Sequence, residues 1–298
     1  MNRLLFTGSN GFLGKNVIIQ LSEMGYDIVT LGRFNTCINC DLSKEIPSIN
    51  NAFDIVIHAA GKAHTVPQTN YEKDQFFKVN LQGTKNLCAA FEKTGIPKSF
   101  IFISTVAEYG LDFGENITDK QPLNGITPYA LSKIQAEKFL IAWCKKHSVI
   151  LSIIRPSLIA GPNPPGNLGA MINGINSGKY LSISGGKSRK SILMVKDIAN
   201  LIPSLAVNGG IFNVCDSEQP SFRDIEKIIA HQLGKSLPLS IPFKLGKMMA
   251  FVGDFLGNSS PINSQKFNKM TKSLTFSNQK ALNDLDWEPL SVLDNFII

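Results

Sequence analysis

The stretch Phe6-Thr7-Gly8-Ser9-Asn10-Gly11-Phe12-Leu13-Gly14 constrains the fold more than any other part of this 298-residue chain. Its three glycines follow the apolar run Arg3–Thr7 and open the helical pattern Phe12–Met24. In such a strand-to-helix turn the first glycine makes the bend, the second lets backbone approach a pyrophosphate, and the third packs helix against strand. The helix N-terminus then offers free N–H groups and the positive end of its dipole to the anion. The pattern predicts a dinucleotide cradle made of Gly8, Asn10, Gly11, Phe12, Leu13 and Gly14; the competing reading is a tight turn without a ligand.

The rest of the first half alternates apolar strands, Asp27–Leu31, Asp54–His58, Ser99–Ile103 and Val149–Arg155, with helical patterns at Tyr71–Lys93 and Pro128–Lys146. Parallel strands buried on both faces read as unbroken apolar runs, as "DIVIHAAG" and "SFIFIST" do. The expected fold is α/β, a Rossmann-type doubly wound parallel sheet with a smaller C-terminal substrate-binding lobe. "GPNPPGNLG", from Gly161, marks the seam between a dinucleotide domain at 1–163, with a strand and helix returning near 190–215, and a substrate lobe at 164–298. Beyond the seam the pattern predicts a helix at Leu168–Ser177, a strand at Ile211–Cys215 and a capped helix at Ser221–Leu233. Phe243–Leu256 is apolar enough for a membrane-surface helix, but it carries few charges, and packing on the substrate lobe is the favoured reading.

Hydrophobic residues at 43% and charged residues at 18% describe an ordinary globular chain. No apolar run approaches a membrane span and the first strand meets glycine too early for a signal peptide, so a soluble, cytoplasmic protein is expected. Five scattered cysteines form no disulfide framework, and Cys37 and Cys40 lack partners for a metal site. The net charge of +7 suits a phosphorylated small molecule. Its lysines are too dispersed for a nucleic-acid surface.

Two further features point to chemistry. In "PYALSK" the proline starts a helix that puts Tyr129 and Lys133 on one face. The second strand ends in Leu31-Gly32-Arg33, where NAD-binding folds commonly carry an acid for the ribose hydroxyls. A guanidinium there matches the extra phosphate of NADP(H), which is favoured, with NAD(H) as the alternative.

Together the motifs resemble those of the extended short-chain dehydrogenases/reductases, the NAD(P)-dependent nucleotide-sugar epimerase, dehydratase and reductase family. The resemblance rests on TGxxGxxG at Thr7–Gly14, "CDL" at Cys40–Leu42, "HAAG" at His58–Gly61, "VNLQGT" at Val79–Thr84, "STVAEYG" at Ser104–Gly110, "YALSK" at Tyr129–Lys133 and "RPSLIAGP" at Arg155–Pro162. It implies Thr105, Tyr129 and Lys133 as the catalytic set. Asp41 and Leu42 flank the adenine, Ala59, Ala60 and Gly61 line the pyrophosphate and ribose, Asn80 and Ser104 support the cofactor, and Pro156 lies beside the nicotinamide. Tyr129 then exchanges a proton with the sugar oxygen, and Lys133 lowers its pKa.

The family's 4,6-dehydratases carry an Asp-Glu pair after the active-site threonine, where this chain has Val106 and Ala107; that argues against dehydration. Arg33 leans toward a reductase that consumes NADPH, with a C4 epimerase as the alternative. "GPNPPGNLGAMINGI", "RKSILMVKDIANLI" and "LNDLDWEPL" resemble members that reduce UDP-4-keto-6-deoxy-N-acetylhexosamines toward N-acetylquinovosamine-type sugars in surface-polysaccharide synthesis. By that resemblance Lys62, His64, Val106, Asn167, Arg189 and Lys190 face a nucleotide-diphosphate sugar, and the helices at 71–93 and 127–146 pair two copies. The non-enzyme reading, a cofactor-binding redox sensor, fits relatives that have lost the Tyr, Lys or hydroxyl residue, and this chain keeps all three.

Overall fold

The computed structural model describes residues 2–255, 260 and 262–298. Seven parallel strands form the central sheet: β1 (Arg3–Thr7), β2 (Asp27–Gly32), β3 (Ile38–Asn39), β4 (Ile55–His58), β5 (Ser99–Ile103), β7 (Ile150–Pro156) and β11 (Gly210–Val214). Between β5 and β7 the chain makes the short strand β6 (Gly114–Ile117). Their spatial order is β3-β2-β1-β4-β5-β7-β11, so the winding reverses between β1 and β4. A doubly wound sheet opens a crevice for ligands at that reversal, beyond the strands' carboxyl ends. Strands β4 and β5 are buried along their whole length, which is why both read as continuous apolar runs.

Helices cover both faces. On one, α1 (Phe12–Glu23) packs Val17 and Leu21 into a core with Ile198, Leu201 and Leu205 of α6 (Val195–Asn208). On the other, Leu87 and Phe91 of α3 (Gly83–Thr94) meet Leu140 and Trp143 of α4 (Pro128–His147). The long helix expected at Tyr71–Lys93 is instead α2 (Asn70–Phe77), a π-helical turn at Lys78–Gln82, and α3. The Thr84 hydroxyl donates to the Asn80 carbonyl (2.6 Å), a side-chain bond inside the widened turn. Helix α4 starts where the sequence placed it, with the Thr127 hydroxyl accepting from the Ala130 N–H and proline in the first turn. A cap of this kind contributes about 1 kcal/mol.

The C-terminal part adds short strand pairs and small helices: β8 (Leu158–Ala160) with β10 (Ile192–Met194), β9 (Ser182–Ile183) with β12 (Ser240–Ile241), and β6 with β13 (Leu274–Phe276). Helices α5 (Gly166–Asn176) and α7 (Phe222–Gln232) share an apolar cluster; α7, the capped helix expected at Ser221–Leu233, has a capping box made by Ser221 and Asp224. Two more helices follow, α8 (Phe243–Phe255) and α9 (Ser264–Thr271); Leu256, the last residue of the expected helix, lies outside the described residues. Residues Ala281, Leu285 and Trp287, in and after α10 (Gln279–Leu285), return to the core beside α6.

Candidate active site

The crevice at the sheet's reversal is shaped by glycine. Gly8 has φ +79°, and a Cβ there would lie 2.7 Å from the Ala60 nitrogen on the neighbouring strand's exit loop. A Cβ on Gly14 would fall 2.5 Å from the Ser9 backbone. Gly11 caps α1 without a side-chain hydrogen bond, which leaves the first-turn N–H groups without a capping side chain. A backbone hollow that any side chain would fill, edged by free N–H groups, fits a dinucleotide's pyrophosphate. At its outer rim Asn10 Nδ2 donates to the Phe34 carbonyl (2.6 Å), and the exposed Arg33 guanidinium lies over the Phe34 ring. The Asp41 carboxylate accepts from the backbone N–H and hydroxyl of Ser43, while Leu42 is buried.

Beneath the crevice runs a buried relay that the sequence reading missed. Thr84 commits its hydroxyl proton to the Asn80 carbonyl, so it accepts from His58 Nε2–H (2.9 Å). His58 Nδ1 then accepts from the Thr7 hydroxyl (2.7 Å), which in turn accepts the Ala60 N–H (3.1 Å). Burial, reinforced by the charge of Lys133, pushes His58 down to about 3, so the ring is neutral and every donor in the chain has an acceptor. A lone histidine at the end of an apolar strand is the sequence trace of this relay; its two threonines are brought to it only by the fold. Asn80 continues it outward: its Oδ1 accepts the Lys62 N–H (2.7 Å) and its Nδ2 donates to Ser132 (2.8 Å).

The catalytic candidates converge at the carboxyl ends of β5 and β7. Lys133 is buried, donates to the Ile103 carbonyl (2.7 Å) and lies 4.3 Å from the centre of the Phe102 ring. A Cβ on Gly61 would come within 3.6 Å of its ammonium, which places the lysine beside the cofactor wall. Burial lowers Lys133 to about 8, against the pull of Glu108 and Glu137. Tyr129 is pushed up to about 12 by burial, while its hydrogen bond with Thr105 acts the other way. The expected lowering of Tyr129 comes from Thr105 and not from Lys133, whose ammonium is aimed at the Ile103 carbonyl. Thr105 also caps the short turn Val106–Tyr109, accepting from the Ala107 N–H. Pro156 is buried at the end of β7.

Behind these residues lies a charged cluster absent from the sequence reading. Arg155 forms a two-pronged pair with Glu137, and its Nε is 3.4 Å from Glu108. The hydroxyl of Ser104, expected to face the cofactor, turns inward and donates to Glu108 (2.6 Å). Two carboxylates share one guanidinium away from water; burial and then Glu137 push Glu108 up to about 9. The signals were Arg155 inside an apolar strand and Glu137 one helical turn beyond Lys133, since a charge in a buried run must be paired.

The expected substrate residues are spread more widely. His64, at φ +60°, packs against Gly166, next to the exposed Asn167, and the Lys62 ammonium lies over the Phe76 ring. Val106 packs against the cluster around Tyr109 and Phe276. Arg189 is exposed, and Lys190 donates to the Lys272 carbonyl (2.9 Å). Burial and the nearby Lys269 lower Lys190 to about 8.

A doubly wound sheet with this glycine cradle and a Thr-Tyr-Lys set defines a nicotinamide-dependent oxidoreductase. Residues 4–215 match the family described as the NAD dependent epimerase/dehydratase family, and the chain belongs to it. The chain is 27% identical over 300 residues to the N-acetyl-α-D-glucosaminyl-diphospho-ditrans,octacis-undecaprenol 4-epimerase of Escherichia coli O157:H7, spanning 94% of this chain and 88% of that one. It is 26% identical to the GDP-6-deoxy-D-mannose reductase of Pseudomonas aeruginosa over 76% of this chain and 79% of the relative. Its fold matches RMD from P. aeruginosa complexed with NADPH, at a TM-score of 0.72 and 21% identity over 99% of this chain and 96% of that one. It also matches a Bacillus anthracis dTDP-glucose 4,6-dehydratase in complex with NAD, at a TM-score of 0.70 and 17% identity over 98% of this chain and 92% of that one. Among the described residues, no helix is long and apolar enough to cross a membrane.

Proposed function

We propose that the protein reduces the C4 ketone of a UDP-4-keto-6-deoxy-N-acetylhexosamine with NADPH, in the cytoplasm, as a step of surface-polysaccharide synthesis. The observation that carries this reading is Arg33, an exposed guanidinium at the cofactor rim where an acid would serve NAD. The crevice loop Gly8–Gly14 and Ala59–Gly61 hold the dinucleotide, and its nicotinamide supplies hydride chemistry at the sugar carbon. Tyr129, protonated at neutral pH, gives its proton to the C4 oxygen as that oxygen gains charge, while Thr105 hydrogen-bonds the same oxygen. Lys133, fixed by the Ile103 carbonyl, grips the nicotinamide ribose. Residues 164–298, apart from the strand and helix returned to the sheet, form the substrate lobe; its Asn167, Arg189 and Lys190, with His64 from the loop after β4, contact the sugar diphosphate. Two copies pair through the helices at 71–93 and 127–146, whose outer faces leave Tyr71, Leu131 and Ile141 exposed.

Glu108 turns inward to Ser104 and Arg155, so no carboxyl from the Val106–Glu108 turn is aimed at a sugar, in keeping with the reading against dehydration. A C4 epimerase is the second reading, favoured by the similarity to the undecaprenol-linked 4-epimerase. Incubation with UDP-4-keto-6-deoxy-N-acetylglucosamine and NADPH or NADH, followed at the nicotinamide absorbance band with NMR of the sugar, separates them. Stoichiometric cofactor oxidation with a new 4-hydroxy sugar supports the reductase. Interconversion of UDP-hexose C4 epimers without added reductant replaces it with the epimerase.

A further inference from the structure

Helix α8 packs the wrong way round for a helix of a purely soluble surface. Its buried residues are the small ones, Gly246, Ala250 and Gly253. A Cβ on Gly246 would press against Phe267 and Ile183, and one on Gly253 would collide with the Ile262 carbonyl, so this stripe seats the helix close to its neighbours. The opposite face carries Met248, Phe251, Val252 and Phe255, at helical spacings of i, i+3, i+4 and i+7. Their exposures are 61%, 63%, 57% and 81%. An ordinary amphipathic helix buries such a stripe.

Charge identifies what covers it. Lys244 and Lys247 lie on α8; α9 packs beside it, with Lys266 donating to the Ser260 carbonyl (2.5 Å) and Lys269 near Lys190. The acid of α8, Asp254, is spent on α9, accepting from the Ser264 N–H (2.8 Å) and hydroxyl. An aromatic and aliphatic face flanked by lysines suits an interfacial helix on anionic lipid. A second copy seated face to face would set these lysines against their equivalents. The 13-residue helix is about 20 Å long, short of a bilayer core of about 30 Å, so it lies in the interface and does not span it.

We propose that the outer face of α8, with Lys244 and Lys247, docks the protein on the surface of an anionic lipid bilayer. The docking is independent of the reaction assigned above. Three charges on α8 are few, which in sequence favours packing; the structure instead packs the small residues and leaves the apolar stripe outward.

The test is co-sedimentation of the full chain with vesicles of phosphatidylcholine alone or mixed with phosphatidylglycerol, at low salt. Sedimentation with the mixed vesicles and not with phosphatidylcholine alone is expected. K247E should weaken that partition at least about fivefold, as each basic residue near an anionic surface is worth ~1 kcal/mol. F251S/F255S should abolish it while NADPH binding, followed by cofactor fluorescence, stays unchanged. The proposal is overturned if the chain does not sediment with mixed vesicles, if the substitutions leave sedimentation unaltered, or if the wild type is a dimer in solution that F251S/F255S converts to monomer.

Discussion

Replacing Glu108 with glutamine should flatten part of the protein's stability–pH curve. Glu108 is fully buried, receives the Ser104 hydroxyl and shares Arg155 with Glu137. With one guanidinium between two carboxyls, the native state holds a proton that the unfolded chain gives up: burial and Glu137 raise Glu108 from 4.5 to about 9. A raised carboxyl favours folding most below its unfolded value, and that contribution declines as pH climbs to its native value. Inside this window the slope is about 1.4 kcal/mol per pH unit, or about 3 kcal/mol across two units. Glutamine keeps an acceptor for Ser104 and mimics the protonated acid while leaving Glu137 paired with Arg155. Urea unfolding of both proteins at several pH values from 5 to 8 reads the difference directly. The stability of E108Q relative to wild type should rise with pH by about the slope above. Parallel curves across the window would refute a shared proton in this cluster.

Tyr129→Phe should keep cofactor binding, seen by fluorescence titration, and lose turnover by about a hundredfold or more, the scale of general acid catalysis; undiminished turnover would remove Tyr129 from the chemistry. Arg33→Ala should raise KM for NADPH well above any change for NADH, and equal changes would cancel the NADP(H) assignment. Thr84→Val leaves His58 Nε2 without its acceptor in a dry site, so denaturant unfolding should report a loss of about 1–3 kcal/mol. An unchanged midpoint would mean that the relay carries no strain-free hydrogen bonding worth counting.

The parts of the molecule legible in sequence are those governed by local rules. The strands β1, β4 and β5 announced themselves because both faces are covered, and the Gly8–Gly14 turn because only glycine fits against Ala60 and Ser9. Thr127-Pro128 marked the start of α4 to the residue. What stayed hidden is tertiary. The π-helical turn at Asn80 changes hydrogen-bond register without changing composition, since its extra residue is absorbed by the Thr84 hydroxyl. The strand pairs β8–β10 and β9–β12 are two or three residues long and leave no periodicity to read. The direction of the Ser104 side chain was missed because it is set by Glu108, and Glu108 turns inward to meet Arg155 from a strand after α4. The outward face of α8 follows from Gly246, Ala250 and Gly253, one small residue per turn, a pattern visible in the sequence once the helix has a neighbour to seat against.

The central claim is that reducing equivalents pass from a consumed cofactor to the sugar. Tracing the label from deuterated NADPH tests it most directly, with UDP-4-keto-6-deoxy-N-acetylglucosamine as substrate and mass spectrometry and NMR of the product. A deuteron at C4 in every product molecule, matched by one oxidised cofactor each, is the predicted result. No deuterium at C4 and no oxidation of the cofactor, with UDP-hexose C4 epimers interconverted without added reductant and keeping their own C4 hydrogen, would contradict the account and leave an epimerase in its place.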